Sequence, residues 1–227
     1  MNTKQLIRWA GLAALVAGLC FAARELLEPP DIHSSVTTPQ WATAHYLSIA
    51  MSLFGLLGVT GIYARQAGKA GWLGVAGYLL LSLWLVLSLT FTFFEAFVLP
   101  LVAAEAPAFA ETYLLVISRS TGEMTVGALT ALWGLSDILF VLGSLVFGVA
   151  TLRAGVLSRW AAGLFTIGIG VAPAYGLLPT ALQPLVAVPI GLGLAWLGYS
   201  LWSEKRLSVT QPVTGPGMSL VRQIGAD

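Results

Sequence analysis

Residues 65–74 read Arg65-Gln-Ala-Gly-Lys69-Ala-Gly-Trp72-Leu-Gly74. They separate two long apolar runs, one ending near Tyr63 and the other starting near Trp72. Each run is long enough to cross the roughly 30 Å hydrocarbon layer of a bilayer. Cations and glycines between such runs predict the tight inner turn of a membrane hairpin, because short loops rich in Lys and Arg stay in the cytoplasm. The rest of the chain follows the same pattern. Lys4, Arg8, Arg65, Lys69, Arg153, Arg159, Lys205, Arg206 and Arg222 fall on one side of a membrane crossed six times, and only Arg24 and Arg119 fall on the other.

Composition agrees. Of 227 residues, 57% are hydrophobic and 9% charged, with mean hydropathy +0.86. A soluble domain carries about 25% charged residues, so lipid must cover part of this surface. Net charge is +1, which argues against a nucleic-acid partner. Cys20 is the only cysteine, which excludes an intrachain disulfide and a cysteine metal cluster.

These features predict an all-α bundle of six transmembrane helices with both termini cytoplasmic. The expected spans are 6–23, 39–64, 71–99, 126–151, 160–178 and 183–202, followed by a flexible cytoplasmic tail over 203–227. Met1–Arg8 is positive and Trp9–Ala23 apolar, which imitates a signal peptide. The segment reads better as a retained first helix, because its removal leaves five spans and disturbs the charge pattern. Thr38 can cap the second span, with Pro39 in its first turn. Pro173 and Pro189 are expected kinks. Between Ala103 and Met124 lies the longest outer connection. There Phe109, Tyr113, Val116 and Ile117 recur at near-helical spacing, and Pro107–Ser118 reads either as a short amphipathic helix at the outer interface or as a plain loop.

Three outward-running segments share an entry pattern: Arg8-Trp9-Ala-Gly11, Lys69-Ala-Gly-Trp72-Leu-Gly74 and Arg159-Trp160-Ala-Ala-Gly163. A triplicated two-helix unit would produce it, but interface chemistry is the simpler cause. Trp anchors at headgroup depth, and cations mark the inner side.

Two acids interrupt apolar runs, Glu95 and Asp137. An acid at mid-bilayer costs about 2.5–3.5 kcal/mol on insertion scales, so such residues face the bundle interior or water. Polar and small residues share their faces. Thr130, Trp133, Asp137, Ser144, Gly148 and Thr151 form one stripe. Ser82, Ser88, Thr92 and Glu95 form a second, and Trp41, His45, Ser48, Ser52 and Gly55 a third. His45 and Glu95 are expected at similar outer depth, with Asp137 deeper. The sequence thus points to a polar cavity lined by His45, Ser48, Ser52, Thr92, Glu95, Trp133 and Asp137. A desolvated acid there suits proton coupling or acid catalysis. The plainer reading is that both acids hold helices together. No catalytic, cofactor-binding or metal set is assigned: zinc needs about three protein ligands, and the depths of His45, Glu95 and Asp137 disagree.

The stretches Phe93-Phe-Glu-Ala-Phe-Val-Leu-Pro100, Ala104-Glu-Ala-Pro-Ala-Phe109 and Ala150-Thr-Leu-Arg-Ala-Gly-Val-Leu-Ser-Arg-Trp160 resemble a broad set of six-span bacterial membrane proteins, catalogued as domains of unknown function. The resemblance implies a bacterial cytoplasmic membrane and an independent six-helix unit. It implies no activity. Three functional classes follow. The first is a noncatalytic subunit or interaction protein of a membrane complex, whose partners are lipids, other membrane subunits or a second copy. The second is a proton-coupled transporter using Asp137. The third is an intramembrane enzyme using Glu95 or Asp137 as general acid on a lipophilic substrate.

Overall fold

The computed structural model describes residues 3–118, 127–172 and 183–208. Among the described residues every regular element is helical. In chain order these are α1 (Thr3–Leu27), α2 (Pro39–Phe93), a π turn (Phe94–Val98), α3 (Leu99–Glu105), α4 (Pro107–Ile117), α5 (Ala128–Ala154), α6 (Arg159–Val171) and α7 (Gln183–Ser208). Four helical runs are long and apolar enough to cross a membrane: Gln5–Leu27, Pro39–Glu105, Ala128–Ala154 and Val186–Glu204. The expected kink at Pro173 and most of the tail lie outside the described residues. Pro189 sits inside α7, and α7 continues past Trp202 to Ser208.

The second run spans 67 residues, or about 100 Å at 1.5 Å per residue. It is folded back on itself. The backbone leaves helical geometry at Gly71 (φ 57°, ψ −161°), a conformation open essentially to glycine. The helix therefore does not stop at Tyr63, as the sequence suggests, but continues through Arg65 and Lys69 and reverses at one residue. Contacts then step outward in pairs on both sides of Gly71. Tyr63 stacks on Tyr78 with centroids 4.8 Å apart, the Ser52 hydroxyl meets Ser88 at 3.4 Å, and His45 meets Glu95 at 3.2 Å. The two arms are antiparallel.

At its start α2 is capped by Thr38, whose hydroxyl accepts from the Trp41 amide at 3.2 Å, with Pro39 in the first turn. The Ser158 hydroxyl accepts from the Ala161 amide and opens α6. Gly155 closes α5 in the left-handed region.

The segments form a ring. α1 lies between α7 and the first arm of α2, α5 packs on the second arm, and α6 joins α5 to α7. Small residues let the backbones nearly touch. A methyl group built on Gly18 would lie 2.3 Å from the Gly191 oxygen, and one on Gly77 would lie 2.5 Å from the Phe147 nitrogen. Lipid tails are as apolar as leucine, so close van der Waals contact, not the hydrophobic effect, holds such helices together. The ring centre is filled by Phe21, Met51, Leu81, Leu85, Phe140 and Phe165 around a cavity of 30 Å³.

The two ends of the ring differ chemically. At one end Arg65 pairs with Glu204 at 2.7 Å, Arg8 lies 5.4 Å over the Trp202 ring, and the Gln66 amide donates to the Thr151 hydroxyl at 2.8 Å. Arg8, Arg65 and Arg153 are thus gathered at the Gly71 end. Trp9, Trp72 and Trp160 are also there, 63%, 78% and 81% exposed, one on every second segment around the ring. At the other end lie Arg24, Glu25, Glu28, Asp31 and Glu95. Large apolar side chains are exposed between the ends. Together, length, hydropathy and exposure make this a multi-pass membrane protein.

α4 covers the acidic end. It is helical over Pro107–Ile117 and buries Ala110, Tyr113 and Leu114 against Val36, Trp41, Leu99 and Ala103. Of the face read in the sequence, Tyr113 is buried and Ile117 packs on the same cluster, but Phe109 is replaced by its neighbour. Phe109 is exposed and Ala110 fully buried, because a small residue permits close approach where Phe109 would not fit.

Candidate functional site

Pro100 sets the local geometry. Proline carries no N–H and its ring crowds the carbonyl four residues back. The helix relieves this by widening into the π turn Phe94–Val98, in which the Leu99 amide donates to the Phe94 oxygen. In α register Leu99 would donate to Glu95 instead. In π register Pro100 would, but it has no hydrogen to give. The Glu95 carbonyl is therefore left without a main-chain donor. The Trp41 indole supplies one, with Nε1 donating to the Glu95 oxygen at 2.9 Å. An unsatisfied buried carbonyl costs about 1–3 kcal/mol, so this bond fixes the two arms in register.

The Glu95 side chain is buried and held on both oxygens. His45 Nε2 lies 3.2 Å from Oε2, and the Tyr113 hydroxyl donates to Oε1 at 3.2 Å. His45 Nδ1 lies 2.8 Å from the Trp41 oxygen. The His45 ring stacks on Trp41 with centroids 4.2 Å apart. One carboxylate thus ties together the first arm, the second arm and α4.

A charged cluster surrounds this network. Arg24 pairs with Glu25 and Glu28, which anchors the end of α1. The Gln40 amide donates to the Leu27 oxygen at 2.9 Å, joining that end to the start of α2. Asp31, in the following loop, has its pKa pushed up to about 6 by burial first and then by the negative charge of Glu28 and Glu95. Burial, together with the charge of Glu95, pushes the Tyr113 phenol far up, so it stays a donor.

The other residues singled out in the sequence are placed as follows. Ser48 is buried and bonds the Ala44 oxygen at 3.1 Å. Ser52 is fully buried and faces Ser88. Thr92 is buried one turn from Glu95. Trp133 stacks on Phe91 with centroids 4.4 Å apart, and its indole N–H is buried near the Tyr113 hydroxyl without completing a hydrogen bond. Asp137 is half-buried on α5. His45 and Glu95 are in contact, whereas the Ser52 hydroxyl bonds Ser88. Among the described residues no group of three metal-binding side chains converges.

Sequence reasoning missed three members: Trp41 as a donor, Tyr113, and the Arg24 cluster. One signal was available for Trp41. A proline five residues after an intramembrane Glu removes a main-chain donor and calls for a replacement. Nothing local to Tyr113 shows that it reaches Glu95, since that contact depends on how α4 folds over the ring.

No family model matches this chain, and no curated protein or solved structure matches it either.

Proposed function

We propose that the chain is a six-span protein of the bacterial cytoplasmic membrane, with both termini cytoplasmic, serving as a noncatalytic subunit or interaction protein of a membrane assembly. The basic end gathers Arg8, Arg65 and Arg153 and carries the exposed ring of Trp9, Trp72 and Trp160. Both features suit a cytoplasmic interface. The first helix fills a place in the ring between α2 and α7, which favours its retention.

One observation carries the noncatalytic reading. Both carboxylate oxygens and the main-chain oxygen of Glu95 are engaged by protein groups. A general acid needs an oxygen turned towards substrate, and Glu95 is instead spent on holding three helices. The centre of the ring is likewise filled by side chains, so transport coupled to Asp137 requires the helices to part there. The lipid-facing surface is where the protein meets its partners: lipids, a membrane subunit or a second copy.

Photoreactive residues at Leu57, Leu79, Ile138 and Ile167, all exposed, test this on four sides of the bundle. The expected result is a protein adduct of fixed mass from one side, with lipid adducts from the others. Lipid adducts from all four, together with a proton-dependent flux lost in Asp137→Asn, would overturn the reading.

A further inference from the structure

His45 Nδ1 lies 2.8 Å from the Trp41 carbonyl oxygen. A carbonyl only accepts, so Nδ1 carries a hydrogen. Nε2 then faces Glu95 Oε2 at 3.2 Å. With both atoms bare, two lone pairs would oppose each other, so one further proton must lie between them. It sits on Nε2, giving an imidazolium and a carboxylate, or on Oε2, giving a neutral imidazole and a carboxylic acid. Either way the pair binds one proton and is neutral overall. The Tyr113 hydroxyl donates to the other oxygen, and α4 reaches the second arm of α2 through that bond.

We propose that His45 and Glu95 form a buried proton-binding site whose one shared proton holds α4 over the acidic end of the bundle, and whose loss in alkali releases α4.

The sign follows from the surrounding charges. α1 contributes Arg24 and Glu25, and the following loop contributes Glu28 and Asp31. α5 contributes the uncharged Trp133, and its acid Asp137 lies a turn further along. Arg24, Glu28 and Asp31 act on the pair directly, and the Arg24 charge is already shared with Glu25 and Glu28. Losing the shared proton adds a buried negative charge to a negative neighbourhood. That charge must be hydrated, and the 11-residue α4, tied to Glu95 through the Tyr113 hydroxyl, is the element that moves aside to let water in. Adding a second proton in acid instead places a positive charge among acids, which they accommodate. The latch holds in acid and opens in alkali. It depends on neither the sidedness of the chain nor the identity of a partner, so its failure leaves the subunit reading untouched.

The test uses the full chain in detergent with Cys20→Ser. Ala110→Cys reports the buried face of α4, and Ala108→Cys its exposed face. Maleimide labelling of the first relative to the second is followed between about pH 6 and about pH 9. The expected result is a rise of about tenfold or more, since loss of one proton shifts an equilibrium up to tenfold per pH unit. Glu95→Gln keeps the shape and the acceptor for Tyr113 but cannot lose a proton, so its ratio should stay flat. Hydrogen exchange of the 107–117 peptide, which needs no cysteine, reads the same opening. A flat ratio in the parent, or an equal rise in Glu95→Gln, overturns the proposal.

Discussion

The Trp41 indole donates at 2.9 Å to the main-chain oxygen of Glu95, an oxygen orphaned because Leu99 bonds Phe94 and Pro100 has no N–H. The register of the hairpin and the π turn are therefore one feature. Trp41→Phe keeps most of the packing volume and removes the donor. The expected cost is about 1–3 kcal/mol, read as a lower thermal midpoint in detergent. An unchanged midpoint would mean that the carbonyl finds another partner.

Pro100→Ala restores the missing N–H and has a better helix former at that position. On propensity alone it should stabilise. We expect it to destabilise, because a return to α register rotates Glu95 away from His45 and Tyr113. Thermal unfolding of the variant decides the matter: a raised midpoint would show that the π turn is incidental.

The glycines divide into two kinds. At Gly18 a methyl group would meet the Gly191 oxygen at 2.3 Å, whereas at Gly163 nothing lies within 4 Å. Gly18→Ala must push α1 from α7 and should cost about 1–3 kcal/mol. Gly163→Ala should be neutral or stabilise by up to about 1 kcal/mol. Equal effects of the two substitutions on denaturation would contradict the packing of the ring.

Asp31 predicts a pH dependence. Its folded pKa of about 6 stands above the unfolded value of about 3.9. The folded state therefore binds the proton more tightly. The stability that this contributes is complete below about pH 4 and lost as pH rises through about 6. Thermal midpoints across this window should fall in the parent and fall less in Asp31→Asn. A parallel decline in both proteins would remove Asp31 as the cause.

The hairpin around residues 65–74 was legible because charge and hydropathy change together there, and the Thr38-Pro39 start because capping chemistry is local. The helix at Pro107 was visible in its spacing, and Tyr113 and Ile117 lie on its packed side, but the exchange of Phe109 for Ala110 was not visible. Which side packs depends on Ala110 fitting against Trp41 and Leu99, residues far away in the chain. His45 and Glu95 could be set at one depth by counting rises from Pro39 and Pro100. Their contact required the reversal at Gly71, and a glycine among several in that stretch does not identify itself. Ring closure was also hidden. It rests on backbone approach at Gly18 and Gly198, whereas Gly134, Gly163 and Gly170, in apolar helices of similar composition, face open space.

The central claim is that the Gly71 turn and α4 cap opposite ends of a membrane-embedded ring. Its most direct test is labelling of intact cells with a membrane-impermeant maleimide in a Cys20→Ser background. Gly68→Cys and Ala108→Cys serve as reporters, since both positions are exposed. Ala108→Cys should be labelled from outside, and Gly68→Cys only after the membrane is opened. Labelling of both from the same side would contradict it.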